Sequence, residues 1–221
     1  MIEVSLRRPW LLAQLPGPMR VLSWAPHRPG LIMADRIVWR EVRDADLGPE
    51  FDAEDWLAAQ LARCGLADAV GLLTSRDLSA YRLTAAEAEG VRASCLATVG
   101  LGNAESVGRR ICSARAAGTI NLLVVAEAGL TEAAQLEALS IAAEARTAAV
   151  MEAGLVLPTG PATGTGTDCI ALACRPGPMR YAGLHTAVGE AIGAAVRTAV
   201  LDGARDCCRA RVDAAGTPVR T

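Results

Sequence analysis

The run Thr119-Ile120-Asn121-Leu122-Leu123-Val124-Val125-Ala126 is apolar at consecutive positions instead of alternate ones. Successive side chains on a strand point to opposite faces, so this segment needs apolar cover on both sides and belongs in the middle of a sheet. Asn121 is its polar interruption, and a buried carboxamide must find hydrogen-bond partners. Immediately downstream, 130–153 reads as a helix with Thr131 as N-cap and Gly154 as its stop. The expected apolar stripe of that helix is Leu136, Leu139, Ala143, Thr147 and Val150, with Glu144 beside it. A last helix from 186 to about 204 sets Val188, Ile192, Val196 and Val200 at helical spacing.

The rest of the chain reads in shorter pieces. Strands are expected at 19–24 and 31–42, at 69–74 and 91–99, and at 169–174. A short helix is expected over 52–64, with Asp52 as N-cap and Gly65 after its end. Segment 100–118 reads as a long connection with a helical turn around 106–116. Pro-Gly-Pro-Met-Arg occurs twice, at 16–20 and 176–180, and both copies read as hairpin turns. The polar end, 209–221, is expected to fray. Early strands and late helices predict an α+β (mixed α/β) single domain over 1–221. It would have a β-rich part at 1–60 and a central mixed sheet with two long C-terminal helices packed on it.

Composition removes several functional classes. A net charge of −2 with dispersed signs leaves no basic stripe for nucleic acid. No stretch approaches the ~20 apolar residues of a membrane span, and the first residues lack the order of a signal peptide. The expectation is a cytoplasmic protein with no membrane partner. Seven cysteines without a Cys-x-x-Cys pair suit free thiols in a reducing compartment. Cys169 adjoins Asp168 but would face the core if Asp168 faces a site. The chain has no lysine, which excludes a P-loop and any Ser-Lys or Schiff-base mechanism.

What chemistry remains is concentrated in one stretch. Ala162-Thr163-Gly164-Thr165-Gly166-Thr167-Asp168 precedes a strand, and Tyr181-Ala182-Gly183-Leu184-His185-Thr186 follows it. Glycines let backbone approach a ligand closely, and threonines add hydroxyl donors. Such a segment suits an anion, an amide or a developing oxyanion.

Taken with Gly100-Leu101-Gly102-Asn103-Ala104, Gly118-Thr119-Ile120-Asn121, Leu130-Thr131, Ala142-Ala143-Glu144-Ala145-Arg146 and Tyr181 to Glu190, this run resembles the adenosylcobinamide amidohydrolases. The similarity runs from about residue 70 to 200. It implies hydrolysis of the amide joining the aminopropanol arm to the corrin ring, giving adenosylcobyric acid for corrinoid salvage and cobamide remodelling. Complete cobamides are further substrates in that family. Leu184 and Arg146 stand where the family usually carries lysine.

Within that resemblance, amide hydrolysis requires an activated water, a stabilised oxyanion and a protonated leaving amine. His185 is the candidate general base and later acid, since imidazole titrates near neutral pH. Asp168 would orient that imidazole or activate water itself, and Glu190 completes the catalytic set. Asn103, Asn121, Glu144, Gly164, Thr165, Gly166, Thr167 and Thr186 are the candidate substrate-binding residues. Either Asn103 or the 164–167 backbone with Thr165 and Thr167 would donate to the oxyanion. No cofactor and no bound metal are expected, with a mononuclear site on His185, Asp168 and Glu190 left open. The partner is a corrinoid small molecule whose breadth leaves open a pocket shared within a homo-oligomer. Two other readings stand beside this one: a non-catalytic corrinoid carrier and an amidase for another substrate.

Overall fold

The computed structural model describes residues 2–42, 52–111 and 118–215. In chain order the strands are β1 (Glu3–Arg7), β2 (Trp10–Ser23), β3 (Gly30–Glu41), β4 (Val70–Thr74), β5 (Arg82–Ala88), β6 (Val91–Val99), β7 (Ala104–Glu105), β8 (Ile120–Leu130), β9 (Val156–Leu157), β10 (Gly160–Pro161), β11 (Gly164–Thr165) and β12 (Cys169–Pro176). The helices are α1 (Ala53–Arg63), α2 (Glu132–Glu152) and α3 (Ala187–Ala215). One mixed sheet runs β4-β3-β2-β12-β8-β6-β5, and β1 pairs with the remaining part of β2. The pairs β3–β4 and β8–β12 are parallel, and the α2 crossover joins the second pair. This is the expected α+β single domain.

β8 sits inside the sheet for the reason its sequence suggests. Leu122, Val124 and Ala126 pack into the cluster under α2 and α3, while Leu123 and Val125 enter a second cluster on the opposite face. β12 divides the same way, with Ile170, Leu172 and Cys174 toward the helices and Cys169, Ala171 and Ala173 away from them. The sheet curls until β4 reaches β8, and the Asn121 carboxamide donates to the Leu73 carbonyl at 2.6 Å. The buried asparagine is thus a tie between distant strands.

Four expectations are corrected. In α2 the buried face is Ala134, Gln135, Ala138, Ile141, Ala142, Ala145, Ala149 and Val150, while Leu136 is 59% exposed. The helix lies on the sheet mainly through alanines that allow close approach; of the expected stripe Val150 is buried, Leu139 and Ala143 are half-buried against the core, and Leu136 faces out. The first Pro-Gly-Pro lies within β2, where the pairing with β3 shifts between Gln14 and Met19. Proline lacks an N–H and is tolerated at such a bulge. The second copy ends β12 and leads toward α3, so neither is a hairpin turn. Helix α3 continues to Ala215, so 209–215 is helical and only 216–221 of the expected frayed end lies outside the described residues.

Two differences remain. No helical turn forms over 106–111; Ser106 bridges Arg109 instead, while 112–117 lies outside the described residues. The edge strand β5 was not expected. Its hairpin to β6 turns at Glu89-Gly90, where both φ are positive (47° and 80°), the geometry of a two-residue hairpin.

Candidate functional site

At the amino ends of β8 and β12 the chain gathers residues from five separate segments. The small pair β7–β11 sets Ala104 opposite Thr165 and Glu105 opposite Gly164, which carries Asn103 to the Gly/Thr turn. The Gly166 N–H donates to the Asn103 carbonyl at 3.4 Å. The Asn103 carboxamide NH2 donates to Thr167 Oγ1 at 3.4 Å, and the Thr167 hydroxyl donates to the Gly118 carbonyl at 3.3 Å. Thr119 closes the ring by donating to the Thr167 carbonyl at 2.7 Å. On the outer side the half-exposed Trp24 indole donates to the Asp168 carbonyl at 2.7 Å.

Asp168 is the hub. Its side chain is 8% exposed and accepts from four donors. Ile120 N–H and the Thr165 hydroxyl reach Oδ1; Thr165 N–H and the Arg146 guanidinium reach Oδ2. A carboxylate has about four acceptor positions, so this one is filled. Gly164 is required by the same arrangement: a Cβ there would stand 2.5 Å from Arg146 Nη1 and 2.6 Å from Asp168 Oδ2. Burial lowers the Arg146 pKa from its ordinary value. Cys169, one residue on, faces the core as expected, and burial pushes its thiol up to about 12.

The other sequence-predicted residues lie elsewhere. His185, Thr186 and Glu190 stand at the start of α3, near the carboxyl end of β12, with the whole eight-residue strand between them and Asp168. The Ala182 N–H donates to Glu137 on α2 at 2.6 Å, whereas Asp168 is held by Arg146 on the same helix. Those two anchors are about two and a half turns apart, roughly 13 Å along the axis. The expected contact between Asp168 and the His185 imidazole is therefore not made, and the His185–Asp168–Glu190 set left open for a metal does not assemble.

The motif at the start of α3 has a packing explanation. Thr186 caps the helix, its hydroxyl accepting from Gly189 N–H at 3.0 Å and donating to the Gly183 carbonyl at 2.8 Å. A Cβ on Gly189 would collide with the Gly183 and Ala182 carbonyl oxygens, and one on Gly183 would stand 2.7 Å from Glu137 Oε1. His185 and Glu190 are exposed around this close-packed start, and Glu144 is exposed on α2. Both Pro-Gly-Pro segments line a separate cavity of about 440 Å³ at the carboxyl ends of β8 and β12.

Arg146, Thr119 and Trp24 complete the turn without having been singled out as site residues. Arg146 had one sequence signal, a cation held at a position where the resembled family carries lysine. Of the four tryptophans, Trp39 is buried in the core, and Trp10 and Trp56 flank the Arg40 guanidinium at 5.3 and 5.0 Å. Trp24 alone is placed at the turn.

No helix among the described residues is long and apolar enough to cross a membrane. The chain is 37% identical over 89 residues to the uncharacterized protein MJ1613 of Methanocaldococcus jannaschii, a match covering 38% of this chain and 35% of that relative. It thus spans about a third of that relative's length. The chain is similar to the crystal structure of the PH0078 protein from Pyrococcus horikoshii OT3, with a TM-score of 0.45 at 9% identity. That alignment covers 91% of this chain and 78% of that one. A family model, CbiZ, described as adenosylcobinamide amidohydrolase, matches residues 1–211, and the chain belongs to that family.

Proposed function

We propose that this protein hydrolyses the amide between the aminopropanol arm and the corrin ring of adenosylcobinamide, and that the Gly164–Asp168 turn receives that amide. The observation that carries the reaction is the family match over 1–211, which includes every residue of the turn. The turn supports the placement because it combines close backbone approach, hydroxyl and carboxamide groups, and a buried cation. Water adds to the carbonyl carbon, the C–N bond breaks, and the products are adenosylcobyric acid and free aminopropanol. Asn103, Thr165, Gly166 and Thr167 would line the reacting group, with Asn121 fixing the strand beneath them. Asp168 is a positioning residue, because its acceptor positions are already taken by the groups it holds.

A general acid or base has to stand within hydrogen-bond reach of the proton it moves. His185 and Glu190 do not meet that requirement at the turn, and the proposal gives them no proton-transfer role there. No cofactor enters the proposal. The test is to mix the protein with adenosylcobinamide and assay free aminopropanol. Stoichiometric or greater release supports the reaction. Tight corrinoid binding without release would make the protein a carrier, and cleavage of simple amides but not of adenosylcobinamide would make it an amidase for another substrate.

A further inference from the structure

Two side-chain atoms at the turn are buried and without a hydrogen-bond partner among the described residues: Arg146 Nε, a donor, and Asn103 Oδ1, an acceptor. Several polar side chains around them are engaged, although Thr98, opposite Asn121 on β6, also has a buried hydroxyl without a partner. Asn121 donates to Leu73, the Thr119 hydroxyl gives its proton to Thr167, and Asp168 holds Thr165, Ile120 and Arg146. Leaving a buried polar group unpaired costs ~1–3 kcal/mol, so two such groups bordering one turn call for an explanation.

Their orientations are fixed by neighbours. The Thr167 hydroxyl gives its proton to Gly118, so its oxygen accepts from the Asn103 NH2, which leaves Oδ1 as the free end of the carboxamide. Arg146 Nη1 is held on Asp168, and Nε is the buried nitrogen of that guanidinium left without a partner. Both side chains abut the same turn: Arg146 at Gly164, and Asn103 at Gly166, whose added Cβ would lie 3.7 Å from Asn103 Nδ2.

We infer that Arg146 Nε–H and Asn103 Oδ1 together grip the substrate's secondary amide, the guanidinium donating to its carbonyl oxygen and the asparagine accepting from its N–H. A secondary amide offers one acceptor and one donor, and the two buried atoms without partners beside the turn are one donor and one acceptor. The inference rests on the amidase proposal, and it specifies what selects the scissile bond. When water adds, the carbonyl oxygen becomes an oxyanion, and a bond from a cationic donor strengthens as that charge develops. A lysine at this position would meet the same demand, since one ammonium has three donors and could hold Asp168 while reaching the oxygen.

The test compares two ligands by stopped-flow tryptophan quenching before turnover: adenosylcobinamide, which carries the amide, and adenosylcobyric acid, which has a carboxylate in its place. Asn103→Ala is expected to weaken binding of the amide about tenfold, the size of one lost hydrogen bond, and to leave the acid within about twofold. Arg146→Gln is expected to weaken both, and Arg146→Lys to restore both together with turnover. The circular dichroism and melting temperature of Asn103→Ala establish that it is folded. Any result in which Asn103→Ala fails to weaken the amide more than the acid overturns the inference. A wild-type protein that cleaves adenosylcobinamide while giving that result loses only the inference, whereas one that neither binds nor cleaves it loses the amidase proposal as well.

Discussion

Arg146 on α2 and Asp168 at the start of β12 are ion-paired with both side chains largely buried, 18% and 8% exposed. This pair fastens the crossover helix to the Gly/Thr turn, and the remaining acceptor positions of Asp168 fasten the turn to β8. The carboxylate most prominent in the sequence therefore acts first on the protein's own backbone.

Asp168→Asn should therefore be costly to the fold. It removes the charge opposite a buried guanidinium and turns an NH2 toward groups that donate. Breaking a buried pair by removing one partner costs about 3–5 kcal/mol, and urea unfolding should show a loss of that order. A loss below about 1 kcal/mol, within the usual range for exposed ion pairs, would show that the pair is not a brace.

The face of α2 can be tested by truncation. Leu136→Ala should change stability by no more than about 0.5 kcal/mol, as for an exposed site, whereas Leu122→Ala beneath the helix should cost about 2–5 kcal/mol. Comparable losses from the two would restore the larger apolar side chains as the packing stripe.

The contrast between those two leucines shows what the sequence disclosed. β8, β12, both caps of α2 and the buried side of α3 were legible because consecutive apolar residues, Thr131 and Gly154 act locally. The face of α2 was legible only in part, at Val150, because five of its eight buried residues are alanines, and alanine carries little signal about which side is buried. Asn103, Asn121 and 164–168 were legible as polar or flexible groups beside apolar strands. Their meeting with Arg146 and Trp24 depends on the β7–β11 pairing and the curl of the sheet, which no local pattern encodes. The start of α3 misled for a related reason: a helix cap with two close-packed glycines has the same residue types as a ligand loop.

Stability should fall in alkali through the thiols. Burial raises the pKa of Cys95, Cys169 and Cys174, with Cys169 at about 12. An unfolded thiol titrates near 8.5. Above that pH the unfolded chain releases protons that the folded chain retains, so their contribution is intact below about pH 8.5 and is lost as pH rises toward 12. With no lysine in the chain, few other groups titrate over this interval. The melting temperature should be level from pH 7 to 8 and decline from 9 to 10, with a shallower decline in Cys169→Ala. A level profile to pH 10 would contradict the burial of these thiols as ionisable groups. Cys169→Ser should retain amide cleavage, because a thiol held this far from its thiolate at neutral pH is not a nucleophile.

The central claim is that the amide is cleaved at the turn and not at the start of α3. The most direct measurement is the initial rate of aminopropanol release from adenosylcobinamide at subsaturating substrate, compared among wild type, Asn103→Ala and His185→Ala. Release by the wild type is expected, with a fall of at least ~10-fold for Asn103→Ala from the lost amide contact and a His185→Ala rate within about threefold of wild type. A His185→Ala rate lowered ~10²–10⁴-fold, the size of a lost acid–base group, with Asn103→Ala near wild type, would move the reaction to the other end of the sheet and contradict that claim.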